Sequence, residues 1–349
     1  MSYFRDNIIS MPPYVPGEQP PAGSSVIKLN TNENPYPPSP KVIEAMAGFD
    51  PGRLRLYSDP MSTPVRMAAA EVFNMPPDWI LVGNGSDDLL AMIVLACTGA
   101  GRPIAYAMPT YTLYRTLAQM QQAPLVELEY TEDYRLPADE LIKADAAVTF
   151  VASPNSPSGT LAPTNELDRL ARGLNGLLVI DEAYCDFAAA NALELVKTRG
   201  NTVVLRTLSK GYSLAGLRVG LAVGNPDILN VLIKVKDSYN LSTLSIELAA
   251  AALADQAYKN ACCAKVVVSR TRLKAGLEKL GFYVWPSDSN FLLAKAPNGQ
   301  ARDIYESLKR TGILVRYFNQ PRLDDSLRIT VGTDEQNAVL LAALKRFLT

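Results

Sequence analysis

An α/β fold with a mostly parallel sheet, followed by a smaller α+β unit, is predicted by three features of this sequence. Short β-branched runs alternate with helical patterns through its middle, and after about residue 244 the pattern changes to a long helical stretch and separate short strands. A chain of 349 residues, 48% of them hydrophobic, is also long enough for two compact units with sizeable cores.

Taken in order, the sheet strands are read at residues 103–107, 125–129, 147–151, 177–181, 203–206 and 219–223. Helical segments fall between several of them, as parallel strands joined by crossovers require. Thr63 and Pro64 give an N-cap and a first-turn proline, with Val65, Ala68, Ala69 and Val72 following on one face. A helical stretch over residues 246–280 carries Leu273, Leu277 and Leu280 on one stripe and ends at Gly281. Strands of the smaller unit are read at 291–294, 313–315 and 327–331. The Pro-rich opening, up to about Ser39, has no core of its own and is placed across the junction. The units are therefore 40–245 on one side, and 1–39 with 246–349 on the other.

Composition narrows the function. With 34 Lys+Arg against 35 Asp+Glu, the net charge of −1 offers no attraction for nucleic acid or an anionic membrane, so a small molecule is the expected partner. The polar opening shows no secretory pattern, and the longest apolar run, residues 89–97, is too short to cross a bilayer. Four cysteines, at 97, 185, 262 and 263, lack metal-ligand spacing, and adjacent Cys262 and Cys263 are badly placed to bridge each other. Reduced thiols and a cytoplasmic location follow. The chain contains no histidine, which removes Ser-His-Asp and Cys-His nucleophiles and every imidazole-dependent metal site. Proton transfer near neutral pH must then fall to another side chain, such as a lysine or tyrosine.

Four segments carry candidate chemistry, mostly where strands give way to loops, the side on which open α/β sheets build their sites. Gly83-Asn84-Gly85-Ser86-Asp87-Asp88 leads into an apolar helix, and Ser86 as N-cap would point free N–H groups at an anion. Taken alone it reads first as an ordinary capped glycine turn, and it is neither a dinucleotide nor a Walker loop. Ser153-Pro154-Asn155-Ser156-Pro157-Ser158-Gly159 follows a strand and offers the Asn155 amide to a phenolate-type oxygen, although every residue in it also suits a turn. Leu177-Leu178-Val179-Ile180-Asp181-Glu182-Ala183-Tyr184 ends an apolar strand in a carboxylate, which is costly to bury without a cation or donor. A protonated pyridine nitrogen would be such a partner, and capping of the next helix is the plainer alternative. In Thr207-Leu208-Ser209-Lys210-Gly211-Tyr212-Ser213-Leu214-Ala215-Gly216-Leu217-Arg218, apolar and small residues surround one lysine and one arginine. Lys210 has the setting of a nucleophile for a carbonyl cofactor, and Ser209 and Arg218 could share a phosphate.

At these residues, and at Leu29-Asn30-Thr31-Asn32-Glu33-Asn34-Pro35, Pro109-Thr110-Tyr111 and Leu327-Arg328-Ile329-Thr330-Val331-Gly332, the sequence resembles the fold-type I aminotransferases and, within them, the histidinol-phosphate aminotransferase family. The resemblance covers nearly the whole chain and implies a seven-stranded sheet between helices plus a smaller α+β domain. It implies pyridoxal 5'-phosphate as cofactor, held by Lys210 as a Schiff base, with the same lysine shuttling the proton. Asp181 would keep the pyridinium protonated, Asn155 and Tyr184 would bond the ring hydroxyl, and Tyr111 would stack on the ring. Gly85, Ser86 and Asp87 at the helix start, with Ser209 and Arg218, would hold the phosphate. Tyr57 would reach that phosphate from a neighbouring subunit, which implies a homodimer with shared sites. Substrate binding would fall to Arg328 on a carboxylate, Arg316 on a phosphate, Tyr14 closing over it, and Asn155. Two departures, Asn155-Ser156-Pro157-Ser158-Gly159 for the usual Asn-Asn-Pro-Thr-Gly and Asp88 for Glu, keep the chemistry.

The implied reaction moves the amino group between L-histidinol phosphate and 2-oxoglutarate. An aromatic or broad-range aminotransferase, or a threonine-phosphate decarboxylase, shares almost every residue named. The aminotransferase-like half of certain transcription regulators is a rival of another class, disfavoured by the few residues ahead of Asn30 and by the charge balance.

Overall fold

The computed structural model describes residues 3–12, 17–20 and 23–348. A short strand, β1 (Ile27–Lys28), opens the chain's β-structure. Seven strands then form the main sheet: β2 (Ile80–Gly83), β3 (Ile104–Met108), β4 (Leu125–Glu129), β5 (Val148–Ala152), β6 (Leu177–Asp181), β7 (Thr202–Thr207) and β8 (Gly220–Gly224). Their order is β2-β8-β7-β6-β5-β3-β4. Every pairing is parallel except those of β8, which runs antiparallel to both β7 and β2. The reason lies in the connections. Helices such as Leu113–Met120 and Thr164–Gly173 supply crossovers between parallel strands. Between β7 and β8 there is only a 3-10 turn, Ala215–Leu217, so the chain comes straight back.

The six strands read from the sequence lie at their predicted positions, within a residue at each end. The seventh, Ile80–Gly83, escaped that reading because four consecutive apolar or small residues carry no alternation; all four are buried. At the helix Thr63–Phe73 the cap also differs. Ser62, in a left-handed conformation, occupies the N-cap, and Asp59 Oδ2 accepts the Thr63 N–H at 2.8 Å.

The stretch read as one helix over 246–280 is two, Thr243–Leu253 and Gln256–Lys279. Asp255 breaks it by capping the second, its side chain accepting from the Tyr258 N–H. The two helices bury different faces. Ile246, Leu248 and Ala249 join a core with Val65, Ala69 and Val219 from the sheet unit. Val266, Leu273 and Leu277 instead join one with Leu292, Leu327 and Leu340. Gly281, at φ +86°, follows the second helix, as the stop signal requires.

The smaller unit holds an antiparallel sheet, β12-β13-β10-β9, made of β9 (Tyr283–Val284), β10 (Phe291–Lys295), β12 (Arg316–Tyr317) and β13 (Ser326–Thr330). β11 (Ile313–Leu314) pairs in parallel with β1, so the opening segment is stitched to this unit. Leu29 is buried in its core and accepts the Thr330 N–H at 3.0 Å. The segment then runs toward Lys210. Among the described residues no helix is long and apolar enough to cross a membrane, and the four cysteines are unpaired.

Candidate active site

The ends of β5, β6 and β7 lie side by side, with Ala152 beside Asp181 and Asp181 beside Leu205 in the register. Asn155, Asp181 and Lys210 are therefore delivered to one edge of the sheet by neighbouring strands. Asp181 is 5% exposed. Its Oδ2 accepts from the Tyr114 hydroxyl at 2.9 Å and its Oδ1 from the Ala183 N–H at 3.2 Å. Burial pushes its carboxyl up to about 6, in spite of the two donors. Neither Asp181 oxygen caps the 3-10 turn that follows, whose N-cap is Tyr184.

Lys210 Nζ donates to the Thr31 carbonyl at 3.2 Å and sits 5.7 Å from the Tyr184 ring centroid. Asn34 Nδ2 holds the loop by donating to the Lys210 and Gly211 carbonyls at 3.0 and 3.3 Å. A Cβ on Gly211 would fall 2.2 Å from Asp186 Oδ2, so only glycine lets this loop lie against the Tyr184 turn. Tyr184 OH accepts from Asn32 Nδ2 at 3.0 Å, and its ring meets Phe291 edge-on at 5.0 Å. Asn155 is buried; Nδ2 donates to the Pro109 carbonyl at 3.2 Å and Ser158 Oγ at 2.9 Å, and Oδ1 accepts from Thr110 Oγ1 at 2.7 Å.

β2 turns into the helix Ser86–Cys97 through a bend at Gly85. The N-cap is Gly85, at φ +87°, not Ser86 as the sequence suggested. Ser86 is the first helical residue, no side chain caps this helix start, and Asp88 Oδ2 takes the N–H of Asn84, just ahead of the N-cap, at 2.8 Å. Glycine is required twice here. A Cβ on Gly85 would stand 2.8 Å from Arg218 Nη2, and one on Gly220 would stand 2.5 Å from the Gly85 carbonyl carbon and the Ser86 nitrogen. Arg218 lies 3.4 Å from both Asp87 Oδ2 and Ser209 Oγ, and Thr207 Oγ1 donates to Ser209 Oγ at 3.0 Å. Tyr111 donates to Asp87 Oδ1 at 3.0 Å.

Arg328 does not pair with the nearby Asp325, which is taken by Lys295 at 2.6 Å. Its Nη1 donates to Ser156 Oγ at 3.0 Å and its Nη2 to the Asn30 carbonyl at 3.1 Å. Arg316 is its cross-strand partner. Tyr57 stands apart from this group, 82% exposed and stacked on Tyr239 at 4.4 Å. Tyr14 lies outside the described residues.

Three contacts were not assigned from the sequence: Tyr114 on Asp181, Asn32 on Tyr184 and Thr31 on Lys210. The only sequence signal for Tyr114 was its spacing, one helical turn after Tyr111.

A doubly wound sheet, a lysine at a strand end, a buried carboxylate and a helix-start cradle define a class of transferase, and the chain belongs to the family described as aminotransferase class I and II, which it matches over residues 24–344. At the level of particular proteins it is similar to histidinol-phosphate aminotransferase 1 of Trichormus variabilis, with 57% identity over 347 residues and 99% of each chain covered. A protein of the same name from a Nostoc species is 54% identical over 347 residues, covering 99% of this chain and 98% of its own. Among solved structures, the crystal structure of histidinol-phosphate aminotransferase from Sinorhizobium meliloti, in complex with pyridoxal-5'-phosphate, superposes with a TM-score of 0.92 at 29% identity, covering 100% of this chain and 98% of that one.

Proposed function

We propose that this chain is a pyridoxal-phosphate enzyme that moves the amino group between L-histidinol phosphate and 2-oxoglutarate in a ping-pong cycle. The observation that carries the reading is Asp181. Its carboxyl is buried and pushed up to about 6, and among the described residues it has donors but no cationic side chain within ion-pair distance. A cationic ring nitrogen is the partner such a site lacks.

The other residues fit the same group. Gly85 and the N–H groups of Ser86 and Asp87 at the helix start, with Ser209 and Arg218, would hold the phosphate. Asn155 and Tyr184 would bond the ring hydroxyl oxygen, Tyr111 would cover the ring face, and Lys210 would tie the group to the chain through Nζ. When bound, the cofactor supplies an electron sink for charge developing at the substrate α-carbon.

The chain's own task is then to place substrate and move one proton. Lys210 Nζ, which donates to the Thr31 carbonyl, would carry the proton that leaves the substrate α-carbon. Arg316 and Arg328 stand side by side on β12 and β13. In L-histidinol phosphate a phosphorylated hydroxymethyl group stands on the carbon where glutamate carries its α-carboxylate, so one pair of arginines would serve both substrates; Asn155 and Tyr14 complete the substrate shell in this reading.

The exposed side chains of Leu54, Leu56 and Tyr57, with half-exposed Tyr239, support a homodimer in which a second copy brings Tyr57 to the phosphate. In this reading residues 40–245 form the cofactor unit, with the helix Thr243–Leu253 packed on it across that boundary, and 1–39 with the rest of 246–349 form the smaller unit. Four unpaired thiols support a reducing, cytoplasmic setting.

The test is an absorption spectrum of the purified protein with L-histidinol phosphate and no oxo acid. Loss of the cofactor's visible band, restored by 2-oxoglutarate, is expected. A band that ignores L-histidinol phosphate and responds to threonine phosphate or an aromatic amino acid would replace the substrate assignment.

A further inference from the structure

Tyr114 is wholly buried on the helix Leu113–Met120. Its ring stacks on Phe150, with centroids 4.8 Å apart and planes 10° from parallel. Tyr111 meets it edge-on and Tyr106 at a tilt, each at 5.8 Å. Three ring neighbours leave the side chain one orientation, and that orientation puts its hydroxyl 2.9 Å from Asp181 Oδ2. Burial, together with the Asp181 charge, pushes the phenol well above its ordinary range, so it stays a donor throughout the working pH range.

We propose that Tyr114 is a positioning residue for the reaction, its hydroxyl fixing the orientation of the Asp181 carboxylate and favouring the ionised form that keeps the cofactor ring nitrogen protonated. This rests on the reading that Asp181 meets that nitrogen. A donor hydrogen bond favours a carboxylate over its acid. Without the bond, Asp181 competes more strongly for the proton it shares with the ring, and the ring withdraws electrons less well. The Ala183 N–H on Oδ1 remains, so the effect is partial rather than total. In a chain without histidine, tyrosine is among the few neutral ring donors available for this place.

The experiment compares the holoenzyme, Tyr114→Phe and Asp181→Asn, each loaded with pyridoxal phosphate carrying nitrogen-15 in the ring. The phenylalanine keeps the stack on Phe150 and deletes only the donor. The ring-nitrogen resonance is expected to move toward the unprotonated position in Tyr114→Phe and further in Asp181→Asn. With it, kcat for L-histidinol phosphate falls about tenfold while KM stays within about twofold. A wild-type resonance and kcat in Tyr114→Phe, with Asp181→Asn shifted, reduce Tyr114 to packing and overturn the proposal. An unshifted Asp181→Asn instead overturns the Asp181 reading, and the proposal with it. Should Tyr114→Phe not accumulate folded, Phe150→Leu carries the test: it keeps the hydroxyl but unseats it, and a resonance left at the wild-type position overturns the proposal.

Discussion

Arg316 and Arg328 face each other across the β12–β13 pair as directly opposed residues, and both guanidinium groups lie over Phe318, at 5.2 and 5.4 Å from its centroid. Like charges directly opposite each other on a sheet are destabilising. The Phe318 face offsets part of that cost, and Ser156 and Asn30 anchor Arg328. Two guanidinium groups on opposed strand positions make a concentration of positive charge suited to an anion.

Arg316→Ala is therefore expected to lower kcat/KM for L-histidinol phosphate by about tenfold to a hundredfold, the loss of a charge-assisted contact. For unphosphorylated L-histidinol the change stays within about threefold. Steady-state kinetics with both compounds decides it, and equal losses would remove Arg316 from the phosphate site.

Lys210→Ala should abolish turnover and the visible band of the bound cofactor. Among the described residues the Nζ makes one hydrogen bond, to Thr31, and one distant contact with the Tyr184 ring. Its removal should cost stability no more than about 1 kcal/mol. A thermal melt alongside an activity assay separates the two effects, and a fully active variant ends the mechanism.

For Asp181 the pH dependence has a definite sign. Burial raises its carboxyl from 3.8 to about 6, so the folded chain binds a proton more tightly than the unfolded one between those values. Stability of the cofactor-free protein then falls as pH rises through that window, and the penalty is complete above it. The shift corresponds to about 3 kcal/mol. Cofactor-free Asp181→Asn is expected to exceed wild type in stability near pH 8 by up to that amount. The difference should shrink as pH is lowered toward about 4.5, as urea titrations at several pH values would show. A pH-independent difference would mean that Asp181 does not titrate in this range.

Much of this architecture was legible because it rests on local pattern. Leu177–Asp181 reads as an apolar strand ending in a carboxylate, and the structure keeps those limits. The strand-end rule then picked out the Asp181 and Lys210 loops. Less legible was what depends on distance along the chain. Tyr114 reaches Asp181 across 67 residues, and Asn32 reaches Tyr184 across 152. No periodicity encodes such pairs. The cap at Gly85 was misread for a different reason: its positive φ is set by the close approach of Gly220 and Arg218, neither of which is a neighbour in sequence.

Glu182 and Arg206 give the last prediction. The Glu182 side chain is 1% exposed, and Arg206 Nη2 lies 2.8 Å from its Oε2. Burial raises the Glu182 carboxyl despite that charge, so the pair is costly to keep and costlier to halve. It also joins two strands that matter, since Glu182 follows Asp181 and Arg206 lies four residues before Lys210. Arg206→Met leaves a buried carboxylate with only the Ala192 N–H and no counter-charge, and should cost about 3–5 kcal/mol. Arg206→Met with Glu182→Gln should recover most of that loss, because the charge left behind is gone. Urea unfolding of the four proteins of this cycle measures the coupling, and purely additive losses would show that the pair acts as two independent side chains. Pyridoxal-phosphate affinity should follow the same order as stability: lowest in Arg206→Met, where the two cofactor-bearing strand ends lose their tie.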